Sequence, residues 1–409
     1  MLLEILLASA RKGRCRQGLL DLEHPQRDVA MRREPSVDCF IPYTGRRAMS
    51  DEPVPHTGAM EGKGAYNLHS RIPAAGGSLA IPLFEAAAQR IPIDTTDRPI
   101  VIADYGSSEG KNSLAPIHAA VGVLRSRIGA ERPIIVYHTD LPGNDFNSLF
   151  NVVDNEPGSY ASQDTLTFPC AIGRSFYRQV LPTSYVDLAW SSYAAVWLSQ
   201  VPCQIPDHIF IACAGEAIRA KFDHQAALDW SRFLALRANE LRPGGRLVVA
   251  LPSLEHDGST DFATLMNHAN AVIAKLVDEG MIRSEERARM TLASHPRREK
   301  DLMAPFVDGG QYAGLSVEHV STAHAADTAW TEFETDHDAV KLASKRALFF
   351  RVIFAPSLAQ SLSPERTMGE RLAFINQLEQ GICQRLVGEP SRLDHLVGII
   401  VLANQKVSD

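Results

Sequence analysis

The chain has 409 residues, 45% hydrophobic and 22% charged, enough to bury a full core as one large domain with additions or as two domains. Its net charge is −7, so no overall basic field argues for nucleic acid, and its six scattered cysteines include no C-x-x-C pair that would hold zinc or form a redox dithiol. No metal site, nucleic-acid partner or membrane partner is expected, and a reducing cytoplasm is the simplest compartment.

Up to about Thr57, short apolar runs alternate with Arg-rich patches, and none reaches the ~18–20 residues that span a bilayer. Met1 to Ser9 lacks the flanks of a secretory signal, and Glu4, Asp21, Glu23, Asp28 and Glu34 disfavour a transit peptide. Residues 1–58 therefore read as a disordered extension, with Met60 a natural beginning of the folded part. A polar, glycine-spaced arm follows from Glu61 to Ser70, with Tyr66 its one aromatic, and then a helix from about Leu79 to Arg90. Residues 59–95 are expected to lie over a site.

The organising stretch runs from Pro99 to Ser113. An apolar run, Ile100 to Ala103, ends in Asp104-Tyr105-Gly106-Ser107-Ser108-Glu109-Gly110-Lys111-Asn112-Ser113, and Leu114 to Ile128 reads as a helix. Strand, glycine turn and helix N-terminus make a place for a nucleoside, with Asp104, Gly106 and Ser108 as its candidate residues. A dinucleotide fingerprint needs a glycine where Ser108 stands, so pyrophosphate binding is disfavoured. The second strand, Ile134 to His138, ends at Asp140, a carboxylate suited to both ribose hydroxyls. S-adenosylmethionine (SAM) fits this pattern better than NAD, although either aspartate could equally cap a helix or turn.

A turn-rich loop, Asp140-Leu141-Pro142-Gly143-Asn144-Asp145-Phe146-Asn147, leads into a helix through Leu149 and Val153. Beyond Gly173-Arg174-Ser175-Phe176-Tyr177 come a strand from Tyr185 to Trp190 and the segment Ser191-Ser192-Tyr193-Ala194-Ala195-Val196-Trp197-Leu198-Ser199-Gln200-Val201-Pro202. Trp197 reads either as core or as an indole donor facing a ligand. Helical patterns cover about 223–241, 262–280, 338–360 and 365–386, and strands are expected near 246–251, 315–320 and 395–403. Alternation of this kind predicts a mostly parallel α/β sheet with helices on both faces and an α-helical cap. The expected division is a core over 96–255, with cap segments and the last strands interleaved over 256–409.

Together, the Asp104 turn, the Asp140 to Asn147 loop, Ser175-Phe176-Tyr177-Arg178, Ser191 to Pro202 and Leu241-Arg242-Pro243-Gly244-Gly245-Arg246 resemble the SABATH carboxyl methyltransferases, in that family's order. The family includes plant salicylate, benzoate and jasmonate methyltransferases and xanthine N-methyltransferases. The resemblance implies a Rossmann-like SAM-dependent methyltransferase acting on a small carboxylic acid. It places Tyr66, Asn112, Asp140, Leu141, Ser175 and Phe176 in the SAM pocket, Asp140 on the ribose and Ser175 and Phe176 near the adenine. Trp197 takes the place of the tryptophan that donates to the acceptor carboxylate, with Tyr193 beside it. The arm departs from the family at Pro73, where carboxylate-methylating members carry a glutamine, so His69 and Arg71 become the candidates for a second donor. N-methylation of a xanthine-like heterocycle and non-catalytic binding of SAM or a small acid remain the alternative readings. A homodimer is compatible with the sequence.

Overall fold

The computed structural model describes residues 58–306 and 310–406, so the expected extension lies outside the described part except for Gly58. The strands are β1 Ile100–Tyr105, β2 Ile134–Asp140, β3 Thr167–Gly173, β4 Val186–Ser192, β5 Leu241–Pro252, β6 Gln311–Tyr312, β7 Leu315–His324 and β8 Leu396–Asn404. They form one eight-stranded sheet in the order β3-β2-β1-β4-β5-β8-β7-β6. β1 to β5 pair in parallel, and β8, β7 and β6 continue the sheet antiparallel. This is the mostly parallel α/β sheet that the alternating pattern predicts.

All six residues of β1 are buried, as a strand covered on both faces must be. One face packs Phe84, Ile117, Leu124 and Trp190, and the other packs Trp230, Phe233 and Leu234. The helix Lys111–Ile128 starts beyond Gly110 at φ 89° and stops at Gly129 at φ 76°. β3 is absent from the sequence reading because it is a half-exposed edge strand containing Pro169, tolerated at an edge where one side needs no ladder hydrogen bond. Strand order reverses around β1, between β2 and β4, so the loops after β1, β2 and β4 converge at one crevice.

Over that crevice sits a cap with its own apolar core, built from the helices Phe262–Asp278, Ala339–Gln360 and Met368–Gly388. They leave the sheet between β5 and β6 and between β7 and β8. Gly381 lets two of them meet closely: a Cβ there would lie 2.6 Å from Val272 Cγ1. Among the described residues no helix is long and apolar enough to cross a membrane.

A fully buried ion pair locks the core to the crevice. Arg237 Nη2 lies 2.9 Å from Glu240 Oε1, and Glu240 also accepts from Val180 N (2.6 Å) and Tyr105 Oη (2.5 Å). Arg237 in turn donates to the carbonyls of Phe176 (2.9 Å) and Arg178 (3.2 Å), pinning the loop that carries Ser175 and Phe176. Removing one partner strands a buried charge, so Glu240→Ala should lower unfolding free energy by about 3–5 kcal/mol in urea titrations. A loss below about 1 kcal/mol would show that the pair is not what fixes this loop.

Candidate active site

At the carboxyl edge of the sheet a cleft of about 510 Å³ is lined by Gly106, Ser108, Asp140, Leu141, Ser175 and Phe176. The turn after β1 is stapled to the end of β2, because Gly106 N (2.8 Å) and Ser107 N (3.1 Å) both donate to the Thr139 carbonyl. Gly106 sits at φ 89°, and a Cβ on it would come 2.1 Å from Ala194 Cβ, so only glycine lets the loop after β4 approach. The Asp140 carboxylate accepts from Ser108 N and Leu141 N, both at 2.7 Å. Desolvation outweighs these two donors and, with the neighbouring Asp104, pushes its pKa up to about 6. Asn144 closes the loop by donating to the Ser108 carbonyl (2.7 Å).

The arm is strapped over this cleft. Glu109 accepts from Gly64 N (2.7 Å) and Asn67 N (3.1 Å), Asp145 accepts from Lys63 N (2.7 Å), and Arg351 from the cap grips Glu61 at 2.8 and 2.9 Å. These contacts seat Tyr66, which is buried at the junction of the cleft and a second, apolar chamber under the cap. Met60, Tyr193 and Trp197 border both spaces. The chamber is otherwise walled by side chains such as Pro73, Phe210, Phe262, Phe349 and Phe354.

Trp197 is placed by its backbone. Tyr177 Oη donates to its carbonyl (2.6 Å), Leu198 N donates to Ala293 O (2.7 Å), and the buried Arg297 guanidinium donates to Ala195 O and Ala226 O. Asp229 takes the next turn, accepting from Ser199 N (2.8 Å) and Ser199 Oγ (2.6 Å). Among the described residues the Trp197 indole N–H has no hydrogen-bond partner. Tyr193, at φ 57°, passes its hydroxyl to His395 Nε2, and Gly76 makes room for it, since a Cβ there would meet the hydroxyl at 1.7 Å.

Of the residues singled out in the sequence, Tyr66, Gly106, Ser108, Asp140, Leu141, Ser175, Phe176, Tyr193 and Trp197 come together at the two spaces. Asp104 does not line the cleft. Its carboxylate is buried beneath the turn, accepting from Ser113 Oγ (2.5 Å) and pairing with His138 Nδ1 (2.9 Å). Asn112 is likewise beside the pocket, its amide donating to Ser70 Oγ (3.1 Å) to hold the arm down. His69 and Arg71 line a different hollow with Asp327, Lys345 and His395, and Arg71 faces Glu332 at 3.5 Å. Burial lowers the pKa of His69 there. Glu109 and Arg297, both central to the site's geometry, carried no signal as lone charges far from their partners in sequence.

A family model described as SAM dependent carboxyl methyltransferase matches residues 54–386, and the chain belongs to that family. Methyltransferase LUC1 of Fusarium sp is 32% identical over 227 residues, covering 54% of this chain and 59% of that protein, less than two thirds of its length. Salicylate carboxymethyltransferase of Clarkia breweri is 28% identical over 298 residues, covering 70% of this chain and 80% of the relative. A solved loganic acid methyltransferase with S-adenosylhomocysteine (SAH) shares the fold, with a TM-score of 0.69 at 20% identity over 85% of this chain and 99% of that one. The resemblance read from the motifs and the mostly parallel sheet are both borne out, and SAM is the methyl donor of the family.

The cleft fits that group. A buried carboxylate keeps an edge on the cleft, the turn is glycine-permissive, and the Ser108 hydroxyl is buried without a partner. If Asp140 takes the ribose hydroxyls, as the resemblance implies, they would donate to the carboxylate form, so binding would be full above its pKa of about 6 and weaken as pH falls through it. Calorimetric SAH affinity should drop about tenfold between pH 7.5 and pH 5, and Asp140→Asn should flatten that dependence. A pH-independent wild-type affinity would remove Asp140 from the ribose.

Proposed function

We propose that this protein methylates the carboxylate of a small, mostly apolar acid, giving a methyl ester and SAH. The observation that carries the reading is the unpartnered Trp197 indole N–H at the junction of a polar cofactor cleft and an apolar chamber. An indole offers one donor and a broad apolar face, which suits an amphiphilic acid better than a polyhydroxylated acceptor. The acid names of relatives such as the salicylate enzyme of Clarkia breweri support the same substrate class. A cytoplasmic setting completes the proposal, in keeping with the scattered cysteines.

SAM bound in the cleft supplies the methyl: as the acceptor oxygen bonds to its carbon, the carbon–sulfur bond breaks onto sulfur and no proton moves. A carboxylate with pKa about 4 is already ionised at neutral pH, so the site needs no general base. What the chain supplies is position. Trp197 orients the carboxylate, the aromatic walls seat its body, and the strapped arm and cap exclude water. Holding the reacting atoms within ~3–3.5 Å and in line contributes ~7–11 kcal/mol toward lowering the barrier.

Trp197→Phe keeps the aromatic body and deletes the donor. It should lower kcat/KM for the acid by ~10–100-fold while leaving SAH affinity unchanged, the cost of one hydrogen bond to a charged group. Unaltered acid methylation in that variant would remove Trp197 as the donor to the carboxylate, and methylation confined to xanthine nitrogens would replace this reading with N-methylation, for which Pro73 in the chamber wall is the motive.

A further inference from the structure

A carboxylate has two oxygens, and one indole N–H satisfies only one of them. With proline at position 73, the arm offers no side-chain donor at that point of the chamber wall. Among the described residues, four side chains of the chamber wall carry an O–H or N–H that can donate: Tyr66, Tyr193, Trp197 and Ser294. The Tyr193 hydroxyl is engaged by His395, and the Tyr66 hydroxyl has the Asn112 amide beside it. Ser294 is different. It is 4% exposed, and its hydroxyl is buried with no partner, a situation that folded proteins reserve for groups with an absent ligand or another specific reason.

Its backbone explains why it is there. Trp197 and Ser294 face each other in an isolated antiparallel bridge. The flanking hydrogen bonds, Leu198 N to Ala293 O (2.7 Å) and His295 N to Val196 O (2.8 Å), make them a non-hydrogen-bonded pair. In such a pair the two side chains project from the same face at the closest approach an antiparallel ladder allows. The bridge therefore sets two donors of the chamber that have no partner among the described residues, the Ser294 hydroxyl and the Trp197 indole N–H, side by side.

We propose that the Ser294 hydroxyl and the Trp197 indole N–H together hold the acceptor carboxylate, one oxygen each, so that Ser294 does the work of a glutamine at position 73. This inference rests on the carboxylate reading of the site. Ser294 acts as a neutral donor throughout, with no proton transferred and no covalent bond made to it. The interaction exists before transfer, so its loss falls mainly on acceptor binding.

The test uses the full chain with SAM and benzoate, salicylate and octanoate as probe acids, taking forward whichever the wild type methylates fastest. Ser294→Ala should raise KM for that acid by about tenfold, change kcat less than about threefold, and leave SAH affinity and melting temperature unchanged. Ser294→Thr keeps the hydroxyl and should recover most of the wild-type KM. Ser294→Cys, of similar size and a poor donor, should behave like Ser294→Ala, so the outcome does not depend on one variant folding. Wild-type turnover of an acid with unchanged KM in Ser294→Ala and Ser294→Cys overturns the role of Ser294 alone. A wild type that methylates none of these acids but accepts a heterocyclic nitrogen overturns the carboxylate reading and this inference with it.

Discussion

Everything at the site depends on where the irregular segment from Tyr193 to Ser199 is held. It leaves β4 at a residue with positive φ and runs so close to the β1 turn that Gly106 has no room for a side chain. Arg297, Tyr177 and Asp229 then fix its carbonyls and amides from three directions. Packing at such contacts allows little drift, because interiors are close-packed and a buried charge tolerates no loss of partners. The consequence is one wall shared by two spaces, with the cofactor cleft on one side and the apolar chamber on the other.

That shared wall explains the division of labour among polar groups. Buried donors and acceptors nearly all have partners here: Asp104 with Ser113 and His138, Glu109 with the arm, Glu240 with Arg237 and Tyr105. Against that background, the groups left open are informative, since each unsatisfied buried polar atom costs about 1–3 kcal/mol. Two of the buried ones border the two spaces, the Ser108 hydroxyl at the cleft and the Ser294 hydroxyl at the chamber, where the Trp197 indole N–H also has no partner among the described residues. A reaction that needs orientation and dryness rather than proton transfer is well served by such a site.

The sheet was legible in the sequence because its central strands are continuous apolar runs between glycine and proline, and the long helices because their apolar spacing persists over several turns. β3 was not, since an edge strand with Pro169 and half-exposed positions lacks that signature. Motif residues within one turn or loop were readable as neighbours on one cleft, as the places of Asp140 and Leu141 in its lining show. Asp104 occupies a strand end that faces either ligand or core, and only its contacts with Ser113 and His138 decide between them. Arg71 was the nearest cation to Pro73 in sequence, but residues two apart on a helix face different ways, which carries it to another hollow. Ser294 was invisible because its meaning comes from a bridge to Trp197 across 97 positions (294 − 197).

The most direct measurement is the fate of a labelled methyl group. Wild-type protein is incubated with methyl-labelled SAM and separate pools of apolar carboxylic acids and xanthines, and each product is treated with mild base. Carboxylate methylation predicts label transferred only in the acid pool and released as methanol, the behaviour of a methyl ester. Base-stable label on the heterocycles, or SAH binding with no transfer to either pool, would contradict it.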